Sequence, residues 1–224
     1  MPEAESWLEE QHGRIAGGSF CVLGLGKLGS RELSLGSDLD LVFIFEAPED
    51  MESDGAKPCA ATPYYARLGQ RLVGAINPDG RGPALRDRHP PPGHPAMLGP
   101  IALQPRQFPP LRETTAQVWE RQSLTRARVV AGEPGLAADV TSAIDEALAR
   151  PVEPEHLARE VRAMRLRIFK EHGSDNPWNL KHCQGGLDDL EFAAQYLVLR
   201  HGPRTRACGA PTRAASSRQP SRPG

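Results

Sequence analysis

The sequence has no apolar run that approaches the 18 residues of a membrane-spanning helix. Its N-terminus also has no secretory signal peptide. Both absences argue against membrane and secreted proteins, so we expect a cytoplasmic chain. At 224 residues, the chain is long enough for one compact catalytic domain and a smaller helical one.

Cysteine is scarce, and strong charge of one sign is missing. The four cysteines are scattered without a C-x-x-C pair, and His182 has no second ligand at zinc spacing. We interpret the cysteines as reduced thiols, and no Ser/His/Asp or Cys/His nucleophile arrangement is present. The net charge is −1, but residues 203–224 hold five arginines and no acid, which leaves −6 for the remainder. An acidic remainder argues against nucleic-acid binding.

Two acids precede a short apolar segment. The run Gly36–Asp40 leads directly into Leu41–Phe45, which reads as a buried strand. Because side chains alternate along a strand, Asp38 and Asp40 would project from one face, about 7 Å apart. Two such carboxylates need a partner, and Mg²⁺ is the natural one. The alternative is an exposed acidic strand entry.

A glycine turn lies just upstream of the acids. The stretch Phe20–Leu33 predicts a short strand, a glycine turn and a short helix that ends near Leu35. Glycines let the backbone approach an anion closely, and the first amides of a helix can bind it. Lys27 adds a cation at the same place. A phosphate cradle beside a metal dyad predicts a nucleotide site.

The same glycines also match a different motif. Gly24, Gly26 and Gly29 form the G-x-G-x-x-G pattern of Rossmann-type dinucleotide-binding proteins, and Glu46 follows Gly24 by 22 residues, as a ribose-binding acid would. A full crossover helix barely fits before Leu39, and the motif gives no role to the two acids. The dinucleotide reading is therefore the weaker alternative.

Three ordered segments resemble one enzyme family. Leu25–Leu33 with Gly36–Leu41, then Trp119–Gly132, then Leu180–Phe192 resemble conserved stretches of glutamine synthetase adenylyltransferase, closest to its C-terminal, adenylylating half. The resemblance covers roughly residues 5–202. It implies a fragment, without the second nucleotidyltransferase half and without most of the C-terminal helical region.

The resemblance implies a fold and a domain order. We expect an α/β (α+β) chain with a polymerase-β-like nucleotidyltransferase domain over residues 1–112, built on a small mixed sheet. A truncated α-helical domain would follow over residues 113–202, and an Arg/Pro/Ser-rich tail over 203–224 would be disordered.

The resemblance also implies an activity, which is transfer of AMP from ATP to a tyrosine of glutamine synthetase in the regulation of nitrogen assimilation. The implied partners are glutamine synthetase and a nitrogen-signalling regulatory protein, with no nucleic acid and no membrane. Mg²⁺ is the implied cofactor, held by the catalytic acids Asp38 and Asp40. The implied nucleotide-binding residues are Gly26, Lys27, Gly29, Ser37, Arg126 and Arg128, the two arginines being placed on a helix.

Residues 77–110 depart from the family. They contain ten of the 22 prolines and cannot form a central strand. A third metal-site acid is expected here, but Arg86 takes its place and Asp87 falls one residue late. A slip of one residue turns a strand side chain to the opposite face. Asp87 is thus a candidate out of register, and the alternative function is an inactive remnant that binds nucleotide or a partner protein.

Apolar residues at helical spacing predict three buried helix faces. The first is on a helix around residues 63–76, and the other two lie in the expected helical domain. Their members are Tyr65, Leu68, Leu72 and Ile76; Leu157, Val161, Met164 and Ile168; and Leu187, Leu190, Ala194 and Leu197.

Overall fold

The computed structural model of the chain describes residues 2–35, 37–76, 102–103 and 117–207. The chain forms two compact units. The sheet unit comprises Met1–Thr115 with Arg126–Ile144, and the helical unit comprises Ala116–Thr125 with Asp145–Gly224. The elements in chain order are α1 (Pro2–His12), β1 (Ser19–Gly24), α2 (Gly26–Ser30), β2 (Leu41–Glu46), α3 (Ala61–Ile76), β3 (Ala102–Leu103), α4 (Val118–Leu124), β4 (Arg128–Gly132), α5 (Pro134–Ala149), α6 (Pro154–His172) and α7 (Leu187–Ala207).

The sheet is mixed, with strand order β3-β2-β1-β4. Strand β1 pairs antiparallel with both β2 and β4, whereas the two-residue β3 pairs parallel with β2 at the edge. The expected α/β class with a small mixed sheet is thus confirmed. The dinucleotide alternative is wrong, because that motif joins two parallel strands through a crossover helix, and β1 and β2 are antiparallel.

The core of the sheet unit is aromatic. Tyr65 of α3 stacks on Phe20 and Phe45, with ring centroids 5.7 and 4.8 Å apart, and Phe43 is fully buried. The predicted face of α3 is confirmed for three members, Tyr65, Leu68 and Leu72. Ile76 is 42% exposed because it lies at the end of the helix, so its assignment to the core is wrong.

Two predicted elements of the sheet unit need correction: the end of α2 and the segment that carries Arg126 and Arg128. Helix α2 ends at Ser30 rather than near Leu35, because Arg31 adopts a left-handed conformation (φ 65°) that stops the helix. The segment carrying Arg126 and Arg128 is a turn followed by β4, not a helix, since Val129 and Val130 favour the strand that pairs with β1.

The tail begins later than expected. Helix α7 extends to Ala207, into the segment predicted to be disordered from residue 203, and it continues through Gly202 and Pro203 although both are poor helix formers. Residues 208–224 lie outside the described residues.

In the helical unit, one predicted face is buried and the other is not. Leu157 and Val161 of α6 are buried, as predicted, while Met164 and Ile168 are half-buried. The predicted face of α7 is wrong, since its leucines at 187, 190 and 197 are 54%, 63% and 53% exposed. Helix α7 carries a second apolar stripe at helical spacing, in which Leu199 is buried and the rings of Phe192 and Tyr196 are half-buried.

Two acids in the first turn of α7 connect it to the preceding loop and to α6. Asp188 contacts His182, with Oδ2 and Nδ1 2.9 Å apart. Asp189 accepts hydrogen bonds from the Gly185 amide and from Arg165 Nε, both at 2.6 Å. Burial opposes ionisation of Asp189, but these two hydrogen bonds prevail and lower its pKa. In the described part of the chain, no helix has the length and apolarity needed to span a membrane.

Truncating Phe43 should destabilise the sheet unit. Phe43→Ala removes a fully buried ring, so we expect a loss of about 3–5 kcal/mol in the free energy of unfolding, measured by urea denaturation. The control is Leu35→Ala, which trims a fully exposed side chain and should change stability by less than about 0.5 kcal/mol. Equal effects of the two substitutions would contradict this core assignment.

Asp189 should contribute stability that acid removes. Because its pKa is lower in the folded chain than in the unfolded one, its contribution is full above the unfolded value and is lost as pH falls through the folded value. We expect Asp189→Asn to lower the melting temperature at pH 7, and the difference from the parent to shrink as pH drops below about 4. The exposed Asp175→Asn serves as the control. A difference that does not change with pH would contradict this.

Candidate functional site

The glycine turn and the acids meet at one end of β1. Gly24 ends β1 and pairs with Leu41, so the turn after β1 lies beside the segment that precedes β2. The Leu25 amide donates to the Asp40 carbonyl at 2.9 Å. Gly26 has φ +50°, and a Cβ built on it would lie 2.6 Å from Asp40 Oδ2. The turn therefore needs glycine at this position, and the structure brings Gly26 and Asp40 into contact.

The two acids lie on the segment leading into β2 rather than within the strand. Asp38 and Asp40 are both half-buried, and β2 itself begins at Leu41. Carboxylate oxygens are the ligands that Mg²⁺ prefers, and the absence of a side chain at Gly26 lets the Asp40 carboxylate lie directly against the turn. The donor set therefore fits a magnesium-bound nucleotide.

Lys27 and Ser37 lie close in sequence to the Gly26–Asp40 contact. Lys27 is exposed on α2, one residue after Gly26. Ser37 closes a turn with Ser34: its hydroxyl accepts from the Ser34 amide at 3.0 Å and lies 2.9 Å from the Ser34 hydroxyl. Ser37 thus shapes the approach to Asp38, and Lys27 supplies a cation on the helix that carries Gly26.

Gly29 is a packing residue. It is buried, and a Cβ built on it would lie 1.7 Å from the carbonyl oxygen of Arg126. Helix α2 therefore lies directly on the backbone of the turn between α4 and β4. No other residue type fits here without separating the two segments.

The two arginines of that turn reach α2 through their side chains. Arg126 Nη2 donates to the Ser30 hydroxyl at 2.9 Å and forms an ion pair with Glu32 at 2.6 Å. Arg128 Nε donates to the Gly29 carbonyl at 3.0 Å, and its Nη2 donates to the Leu28 carbonyl at 2.9 Å. Burial lowers the pKa of Arg128, and the positive charge of Arg31 lowers it further.

Sequence reasoning missed Ser30 and Glu32. Both stand in the segment that carries the family resemblance, but they meet Arg126 across 96 and 94 residues of chain, and no spacing rule predicts such a contact. Asp87, the candidate third acid, lies outside the described residues. Within the described residues, no group of three His, Cys, Asp or Glu side chains is placed to share a metal.

A methyl group at Gly29 should separate α2 from the Arg126 turn. We expect Gly29→Ala to lower the free energy of unfolding by about 1–3 kcal/mol, because the new Cβ collides with backbone rather than with a mobile side chain. Gly74→Ala is the matched control: nothing lies within 4 Å of the added methyl, and the helix should gain about 0.5–1 kcal/mol. Thermal unfolding of both variants checks this, and a neutral Gly29→Ala would contradict it.

Comparison with known proteins shows the family of this chain. The family model described as glutamate-ammonia ligase adenylyltransferase matches residues 4–143. The chain is 44% identical over 197 residues to a bifunctional glutamine synthetase adenylyltransferase/adenylyl-removing enzyme of Xanthobacter autotrophicus, covering 86% of this chain and 20% of that protein. The same-named proteins of Bradyrhizobium sp. and Brucella suis are each 39% identical, over 85% and 89% of this chain and 20% of theirs. The chain thus spans about a fifth of the length of these relatives. It belongs to the glutamate-ammonia ligase adenylyltransferase family.

Proposed function

We propose that this chain transfers AMP from ATP to a tyrosine hydroxyl of glutamine synthetase. The observation that carries the proposal is the contact between Gly26 and Asp40, which places the glycine turn directly against an acid that we assign to the metal. Family membership supports the adenylyl transfer chemistry. The names of the relatives support glutamine synthetase as the acceptor.

The metal-binding residues in this proposal are Asp38 and Asp40. When bound there, Mg²⁺ would neutralise charge on the triphosphate and so assist departure of pyrophosphate. Gly26 lets the triphosphate approach Asp40, and Lys27 supplies positive charge to it. Gly29 and Ser37 keep the turn and the acid segment in place through the contacts described above.

The reaction exchanges one phosphorus–oxygen bond for another. The tyrosine oxygen attacks the α-phosphorus, the bond from that phosphorus to the bridging oxygen of pyrophosphate breaks, and the hydroxyl proton passes to water. Since negative charge grows on the pyrophosphate, a cation held beside it lowers the barrier. Lys27 is exposed on the helix that carries Gly26, and we assign it this role.

A second candidate function is nucleotide binding with little or no transfer. It is favoured by the sequence at residues 86–87, where arginine takes the place of the expected third acid. That acid would help activate the hydroxyl, so its loss should reduce chemistry more than ATP binding. We infer that nucleotide binding is the property this chain keeps most fully.

The wider setting is proposed from the family. We place the reaction in the cytoplasm and in the control of nitrogen assimilation, with a nitrogen-signalling protein as regulator. Since the chain spans about a fifth of its relatives, we do not extend their adenylyl-removing activity to it.

Neutralising either acid should weaken binding of magnesium-bound ATP. We expect Asp38→Asn and Asp40→Asn each to raise the dissociation constant at least about tenfold in calorimetry, because each removes a charged ligand of the metal. Glu49→Gln removes an exposed acid outside the site and should bind as the parent does. Unchanged binding of magnesium-bound ATP in both aspartate variants would contradict a metal-binding role for Asp38 and Asp40.

The two candidate functions separate in one further assay. The chain is incubated with glutamine synthetase and ATP labelled on the α-phosphate, and label on the synthetase is counted. Label that depends on Asp40 supports the transferase, whereas tight ATP binding without label supports the nucleotide-binding alternative.

A further inference from the structure

We propose that Arg128 is a positioning residue of this site: it holds α2, and with it the glycine turn, against Asp40, and it does not bind the nucleotide. The proposal rests on the proposed function, since it concerns how that nucleotide site is held together. It assigns Arg128, which the family resemblance placed on the nucleotide, to the protein's own backbone.

The geometry of Arg128 suits that task. In the sheet it pairs opposite Gly24, the last residue of β1, so its backbone lies at the start of the glycine turn. Its two donors reach the carbonyls of consecutive residues, Leu28 and Gly29, at 2.9 and 3.0 Å. A planar guanidinium can bridge two acceptors in this way, whereas an ammonium on a flexible stem cannot hold the same fork.

The length of α2 explains why these carbonyls need an outside donor. The last four carbonyls of any helix lack a partner within it, and α2 has only five residues. The Leu28 carbonyl also receives the Arg31 amide at 3.3 Å, but that contact is long. A helix this short has little stability of its own, so its position depends on the Arg128 contacts.

A second path from the same turn leads to Gly26. Arg126 donates to the Ser30 hydroxyl, and that hydroxyl donates to the Gly26 carbonyl at 3.1 Å. The two arginines therefore hold α2 at both ends, Arg128 at its last carbonyls and Arg126 through Ser30 at its first residue. Gly26 in turn lies against Asp40.

The alternative role for Arg128 is direct contact with a phosphate, and measurements without nucleotide separate the two roles. A phosphate ligand also uses the guanidinium fork, so Arg128→Lys weakens ATP binding in either role. A residue that bridges two carbonyls needs the fork, which lysine lacks. Positioning should also matter before any nucleotide is present.

The test uses the full chain with Arg128→Lys and Arg128→Ala, and Arg14→Lys as the control for an exposed arginine of the same unit. Three quantities are measured: the dissociation constant for magnesium-bound ATP, the dissociation constant for Mn²⁺ without nucleotide, and hydrogen exchange of the amides of residues 25–30 without ligand. Circular dichroism checks folding.

We expect both Arg128 variants to bind ATP about tenfold or more weakly than the parent, with Arg14→Lys unchanged. Both should also bind Mn²⁺ alone more weakly and exchange the amides of residues 25–30 faster, and ethylguanidinium should restore ATP binding to Arg128→Ala. The proposal is overturned if Arg128→Lys binds ATP like the parent, or if it loses ATP affinity while Mn²⁺ binding and exchange stay unchanged.

A further variant keeps the test decisive if Arg128→Lys and Arg128→Ala do not fold. Arg128→Gln keeps a planar donor group but is too short to reach both carbonyls, and it should also speed exchange of the turn amides and weaken Mn²⁺ binding. Normal exchange and normal Mn²⁺ binding in that variant would overturn the proposal. Failure of the parent to bind ATP would instead refute the proposed function, because the exchange measurement needs no nucleotide.

Discussion

The antiparallel pairing of β1 with β2 is the constraint on which the whole site depends. Its register places Gly24 opposite Leu41, so the turn that leaves β1 and the acid segment that enters β2 share one end of the sheet. The contact of Gly26 with Asp40 follows directly from that register. A slip by one residue would turn every side chain of β2 to the other face and move the buried Phe43 and Phe45 out of the core.

Local pattern predicts the parts of this arrangement that are close in sequence. The apolar runs and the glycine-rich stretch are enough to predict β1, β2, the turn and the position of the acids, because each of these depends on neighbouring residues. The bonds of Arg126 and Arg128 join segments 94–100 residues apart, and β4 pairs with the still more distant β1, so no local period predicts either. The predicted face of α7 was wrong for a different reason. The helix has two apolar stripes at helical spacing, and only tertiary packing decides which of them is the less exposed.

The side chains of Arg126 and Arg128 stabilise the site indirectly, by holding α2 in position. Two arginines that the family resemblance assigned to the nucleotide are engaged with Ser30, Glu32 and the carbonyls of α2. In the proposal, the triphosphate is therefore assigned to Lys27, which is exposed on α2, and the metal to the two aspartates. Such a division of labour is physically reasonable, because a five-residue helix with a buried glycine cannot hold its position unaided.

The central claim is that magnesium-bound ATP binds where Gly26 contacts Asp40. The most direct measurement is a crystal structure of the chain with Mg²⁺ and a non-hydrolysable ATP analogue. The account predicts metal on the carboxylates of Asp38 and Asp40, with phosphate oxygens beside Gly26 and Lys27. A nucleotide bound elsewhere, or phosphates on Arg128 with no metal at the two aspartates, would contradict it.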